Sequence, residues 1–238
     1  MAKMDVNSNG YTVVFAVGMG LLVAVVLALL STGLQPAQNV NKAFAQKKNL
    51  LNAVGYDTKN LDADKVEMIY EQNFDGYIVN TKGEQRGDKA SAFEVDMAKE
   101  VKKAKEERAL PVFVYTDDAG KSQYVLQARG SGLWDAIWVY CSMESDKKTI
   151  AGTVFGHKGE TPGLGAKISD DPKFYEDFSG KKVFDSEDSY VGIAVLKGEG
   201  VPTNENQVDG ISGATMTCNG VSTMMQDALG SYEAFLKN

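Results

Sequence analysis

From Tyr11 to Leu30 the chain reads YTVVFAVGMGLLVAVVLALL, twenty residues without a charged side chain. At about 1.5 Å of rise per residue, such a run crosses the roughly 30 Å hydrocarbon core of a bilayer as a helix. A secretory signal would carry an apolar region of only about 7–15 residues and end in a small-residue cleavage site. Ser31 to Gln38 offers none. The expected organisation is a tail at 1–10, a single transmembrane helix at 11–31 and one domain at 32–238. With no ionisable residue inside it, this helix offers no relay for moving an ion or proton across a membrane. Lys3 precedes it while Lys42, Lys47 and Lys48 come after it, so the positive-inside rule leans towards a cytoplasmic domain.

The remainder is long enough for one domain with its own core. A formal charge of −7 and a pI near 4.9 set nucleic acid aside, because a phosphate-backbone partner needs a basic face. Cys141 and Cys218 are the only cysteines and His157 the only histidine. No metal-ligand cluster can be assembled from these, so any redox centre held here is organic. The two thiols could pair or stay buried and reduced, the second being favoured, and their number leaves the redox compartment undecided.

Periodicity sets the coarse plan. Val40, Phe44, Leu51 and Val54 have near-helical spacing, and Asp62 caps a stretch in which Val66, Ile69 and Tyr70 share a face. After a short apolar run, Tyr77 to Val79, a charged helix carries Phe93, Met97 and Val101 on one side. From Pro111 the period becomes two: PVFVYT, a turn at Asp117-Asp118-Ala119-Gly120, then SQYVLQA, IWVYCSM and TIAGTVFG. A helix near 171–178, a strand over 190–197 and a last helix from about Asn219 to Lys237 complete the reading. The expected fold is α+β, a largely antiparallel sheet flanked by helices with one N-terminal transmembrane helix.

The chemistry concentrates just before the last helix, in Asp209-Gly210-Ile211-Ser212-Gly213-Ala214-Thr215. Small residues leading into a helix suit a phosphate: the backbone can come close, first-turn N–H groups can donate, and the helix dipole favours negative charge. Local physics alone is equally served by Ser212 or Thr215 acting as an ordinary cap. A second feature is Glu160-Thr161-Pro162-Gly163-Leu164-Gly165, which could be a plain Pro-Gly turn. A third is the run Gly130 to Ala136, GSGLWDA, after a PVFVY strand.

D-G-I-S-G-A-T resembles the acceptor motif of flavin transferases, which move FMN from FAD onto the last threonine as a phosphodiester. E-T-P-G-L-G resembles a loop that packs against the isoalloxazine in the same FMN-binding domain. With the anchor and the GSGLWDA run, the chain is similar to the NqrC family, whose members are subunits of the Na+-translocating NADH:quinone oxidoreductase. The RnfG family of the Rnf electron-transport complex shares the anchor and both flavin motifs and is the alternative. The resemblance covers the anchor and most of residues 110–230, and only loosely residues 56–108.

The resemblance implies FMN attached covalently to Thr215, the functional site residue, with Ser212, Gly213 and Ala214 shaping the phosphate seat and Asp209 positioning the acceptor hydroxyl or its metal during attachment. It implies ring contacts from Thr161, Leu164 and Gly165 and a wall from Ser131 and Trp134, although Trp134 is equally a core residue. No metal ligand set belongs to the chain itself. The implied partners are the other membrane subunits of the complex and a flavin transferase, and the implied location is the bacterial inner membrane with the domain periplasmic. Cys218 reads as packing, and His157 could donate to the flavin but is as easily a solvated loop residue. No NAD fingerprint comes after any expected strand, so NADH oxidation falls to another subunit and no complete activity is expected of this chain alone. A freestanding membrane-bound flavin reductase and a cofactor-free scaffold domain are the remaining readings.

Overall fold

The computed structural model describes residues 8–198 and 202–238, so Lys3 and most of the 1–10 tail lie outside the described residues. The chain divides into two units at Gln46 and Lys47. The first is helical and carries the apolar run, whose side chains are exposed from Thr12 to Leu30. Its helix, α1, spans Asn9–Ala53 and passes through Pro36 without ending. The helix expected over 39–54 is thus the continuation of the helix that carries the apolar run. Pro36 cannot donate to the carbonyl four residues back, a loss of about 3 kcal/mol that the long helical runs on both sides absorb.

In the second unit, α2 (Ala63–Asn73) starts at Asp62, whose carboxylate accepts from the Lys65 N–H. It leads into β1 (Phe74–Val79) and the short β2 (Gln85–Arg86). The charged helix carrying Phe93, Met97 and Val101 is not one helix: α3 (Lys89–Phe93) ends and α4 (Met97–Glu100) begins anew. Asp96 explains the break. Its carboxylate accepts from the Ala98 N–H, a capping bond that competes with helix continuation.

The strands expected from period-two patterning form, as β3 (Leu110–Thr116), β4 (Ser122–Ser131), β5 (Ala136–Met143) and β6 (Ile150–His157). With β1 and β2 they make one antiparallel sheet in the order β2-β1-β3-β4-β5-β6. Asp117 closes the β3–β4 hairpin by accepting from Ala119 and Lys121 N–H. Alternation buries both faces. Val112, Leu126, Val139 and Cys141 pack with the C-terminal part of the chain, while Phe113 meets Phe93 and Tyr115 meets Phe74 on the other side. Both cysteines are buried free thiols.

Beyond β6 come α5 (Lys167–Asp170) and α6 (Pro172–Glu176), where one helix over 171–178 was expected; Pro172 starts a new first turn capped by Asp171. The strand expected over 190–197 is reduced to β7 (Ala194–Val195), parallel to β8 (Gln207–Val208). Gly192, at φ +63°, breaks the extended run. The last helix begins earlier than expected, as α7 (Thr215–Thr223), then widens to a π turn over Met224–Ala228, tightens over Leu229–Tyr232 and ends as α8 (Glu233–Lys237). Val221, Met225, Tyr232 and Phe235 lie in the core, and the partly buried Ala228 packs against it. A hydroxyl is buried there too. Tyr232 Oη lies 3.0 and 3.1 Å from the carbonyl oxygens of Pro111 and Gln127, giving the sheet a donor where proline has none.

Candidate functional site

Thr215 is the first residue of α7, and its side chain is exposed. The N-cap position belongs to Ala214, which has no side chain able to accept a hydrogen bond. Neither Ser212 nor Thr215 therefore serves as a cap, and the first-turn N–H groups keep the donor capacity that caps elsewhere in this chain consume. Thr217 lies two residues on, about 200° around the helix, and so points inward. It is buried, and its hydroxyl donates to Glu160 Oε2 at 2.6 Å.

Glu160 is 5% exposed and opens the loop after β6. Its other oxygen, Oε1, accepts from the Trp134 N–H at 3.0 Å. Burial alone would push this carboxyl's pKa up. The Thr217 hydroxyl and the nearby main-chain N–H groups of residues 133–135 outweigh that and hold it below the ordinary glutamate value. The Glu160 N–H in turn donates to His157 Nδ1 at 3.1 Å. Gly165 passes so close to both Glu160 and Thr217 that a β-carbon would collide with their oxygens.

Three segments distant in sequence thus meet: the turn Ser131–Asp135, the loop from Glu160 to Gly165 and the start of α7. The Trp134 indole N–H donates to Thr161 Oγ1 at 3.1 Å, so the first two are joined twice. Leu164 lies against Gly213, where a β-carbon would sit 2.9 Å from its Cδ2. Trp134 is 69% exposed and does not belong to the core. Among the described residues outside α1, the exposed large apolar side chains are Met68 and a group on these three segments: Leu133, Trp134, Leu164 and Met216. An apolar group of this kind beside uncapped amides suits a ligand with a flat ring at one end and an anion at the other.

The expected site residues divide accordingly. Thr215, Gly213, Ala214, Thr161, Leu164, Gly165 and Trp134 come together around the start of α7. Ser131 and Trp134 also line a cleft of about 850 Å³ shared with Arg108, Arg129, Gly220 and Asp227. Asp209 and Ser212 line a separate small cleft with Lys167 and Lys173, and the Asp209 carboxylate accepts from the Gly210 N–H. Sequence reasoning gave no role to Glu160, Thr217, Leu133 or Met216. Thr217 was legible from helical spacing, since an outward Thr215 requires an inward Thr217. Glu160 left a weaker trace, as the lone charge opening the uncharged run Thr161–Ala166.

Comparison with known proteins bears on the same segments. The family model for the FMN-binding domain matches residues 132–230. The NqrC protein of the Na(+)-translocating NADH-quinone reductase of Pasteurella multocida is 32% identical over 94% of this chain and 91% of its own length. That of Vibrio vulnificus is 30% identical over 86% of this chain and 84% of its own length. Among solved structures, the corresponding protein of Parabacteroides distasonis superposes with a TM-score of 0.75 at 36% identity, covering 86% of this chain and 98% of that one. The Shewanella oneidensis NqrC superposes at 0.70 with 27% identity, covering 83% and 97%.

Proposed function

The chain belongs to the NqrC family of Na+-translocating NADH-quinone reductase subunits, and on that premise we propose that it is a membrane-anchored electron carrier holding FMN as a phosphoester on Thr215. One observation carries the reading: Thr215 stands exposed at the uncapped start of a nine-residue helix, beside the apolar group of Leu133, Trp134, Leu164 and Met216. The α7 amides would donate to the phosphate oxygens, and the helix dipole would favour the charge. Leu164 and Trp134 would flank the ring and shield it from water, with Thr161 and Gly165 at its edge. Ser212, Gly213 and Ala214 would keep the approach free of bulk, and Asp209 would assist attachment. Bound FMN supplies the electron uptake and release, while the protein supplies tethering, orientation and electrostatic setting.

Attachment needs a flavin transferase acting on FAD. The phosphorus–oxygen bond to Thr215 forms as the pyrophosphate bond of FAD breaks, AMP leaves and the hydroxyl proton passes to the transferase. The other subunits of the reductase would deliver and remove electrons, with the domain periplasmic and α1 in the inner membrane. Co-expression with a flavin transferase, then ultraviolet fluorescence of the denatured band, tests the reading. A fluorescent band lost in Thr215→Ala but kept in the remote Thr203→Ala is expected. A dark wild-type band overturns it.

A further inference from the structure

Glu160 receives more hydrogen bonds than a loop carboxylate needs for its own turn. Its donors come from two segments, the Thr217 hydroxyl in α7 and the main-chain N–H of Trp134, and it joins them across 57 and 26 residues of sequence. Among the described residues it is the only ionisable side chain that bonds both. Each segment also presents a residue to the site: α7 presents Thr215, and the turn presents Trp134. Rotation of α7 would break the Thr217 bond, and movement of the turn would break the Trp134 bond, so the carboxylate couples the two.

Resting on the flavin reading above, we propose that Glu160 is the positioning residue of the flavin site, fixing the direction of Thr215 and the indole of Trp134 through the Thr217 hydroxyl and the Trp134 amide. Its hydrogen-bond partners are Thr217 and the Trp134 amide rather than the Thr215 hydroxyl, so it acts through them. Removing it leaves the Trp134 N–H and the buried Thr217 hydroxyl without their acceptor. Glutamine in its place keeps an oxygen for the amides and offers an N–H to the Thr217 oxygen, so shape and coupling survive without the charge.

The test uses full-length protein in detergent, in a Trp138→Phe background where Trp134 is the sole tryptophan. Glu160→Ala, Glu160→Gln and Glu100→Ala are compared, Glu100 being a similarly buried carboxylate that serves Lys103 and Ala109 instead. Trp134 fluorescence anisotropy is read without flavin, and flavin loading is read after co-expression with a transferase. Glu160→Ala is expected to lower the anisotropy and cut loading several-fold, Glu160→Gln to restore both, and Glu100→Ala to change neither. Anisotropy and loading in Glu160→Ala equal to those in Glu100→Ala would overturn the proposal. If the wild type itself takes up no flavin, the functional reading fails, and the anisotropy comparison still decides the role of Glu160.

Discussion

The backbone of Gly220 in α7 rests on the carbonyl of Ser131, so closely that a β-carbon there would overlap the oxygen. This contact sets how near the last helix approaches the turn that carries Trp134. Both neighbours are main chain, which cannot swing aside as a flexible side chain can. Gly220→Ala should therefore cost about 1–3 kcal/mol and displace α7 from the turn. Urea unfolding should show the loss, and flavin loading on Thr215 should drop in the same variant while remaining intact in Ala228→Gly, which lies further along the helix.

Much of this arrangement was legible in the sequence where one physical rule dominated. Period-two alternation fixed β3 to β6, and the Asp117–Gly120 turn fixed their first hairpin. It failed where local capping competed with periodicity. Asp96 split a helix whose apolar spacing was sound, and Gly192 cut a strand whose composition was suitable. The site shows the same division. Motif residues around Thr215 stood out because small residues before a helix have a physical use, whereas Glu160 acts through hydrogen bonds to main chain 26 residues away, which no local pattern encodes.

Stability should fall on the acid side, and the sign comes from the two buried carboxylates. Burial acts to raise the pKa of Glu100, but bonds from Lys103 and the Ala109 N–H bring it below the ordinary value, as Thr217 and the 133–135 amides do for Glu160. A folded pKa below the unfolded value of about 4.3 contributes stability that is fully present above that pH. It is lost as pH falls through the folded value. Thermal melts should thus be flat with respect to these groups from pH 6 to 5 and drop below about 4.3. Glu160→Gln should start less stable and lose less over the acid range. An acid limb as steep as that of the wild type would show that Glu160 is not held ionised by its partners.

Tyr232 separates stability from the site. Its ring fills the core and its hydroxyl serves the carbonyls of Pro111 and Gln127. Tyr232→Phe keeps the ring and removes the hydroxyl that bonds these carbonyls, a loss of about 1–2 kcal/mol and a Tm lower by roughly 2–8 °C. Flavin loading should be unchanged, because neither carbonyl belongs to the segments around Thr215. Calorimetry and in-gel fluorescence on the same preparation check both halves.

Topology is where charge counting and family reading point in opposite directions. The count leans on Lys42, Lys47 and Lys48 after the apolar run. Lys47, however, is tied to Glu67 at 2.6 Å and largely covered, so it is a paired residue of the folded domain. The bias also acts mainly through short flanking loops, and large domains cross a membrane with little regard to charge. The second unit is a domain of that size, running from Lys47 to Asn238. The periplasmic placement therefore meets little opposition from the lysines. Trypsin added outside intact spheroplasts should reach the exposed Lys102, Lys103 and Lys105 between α4 and β3, releasing fragments that lack the anchor. A domain that stays whole until the spheroplasts are lysed would place it in the cytoplasm and put Thr215 beyond the reach of a periplasmic transferase.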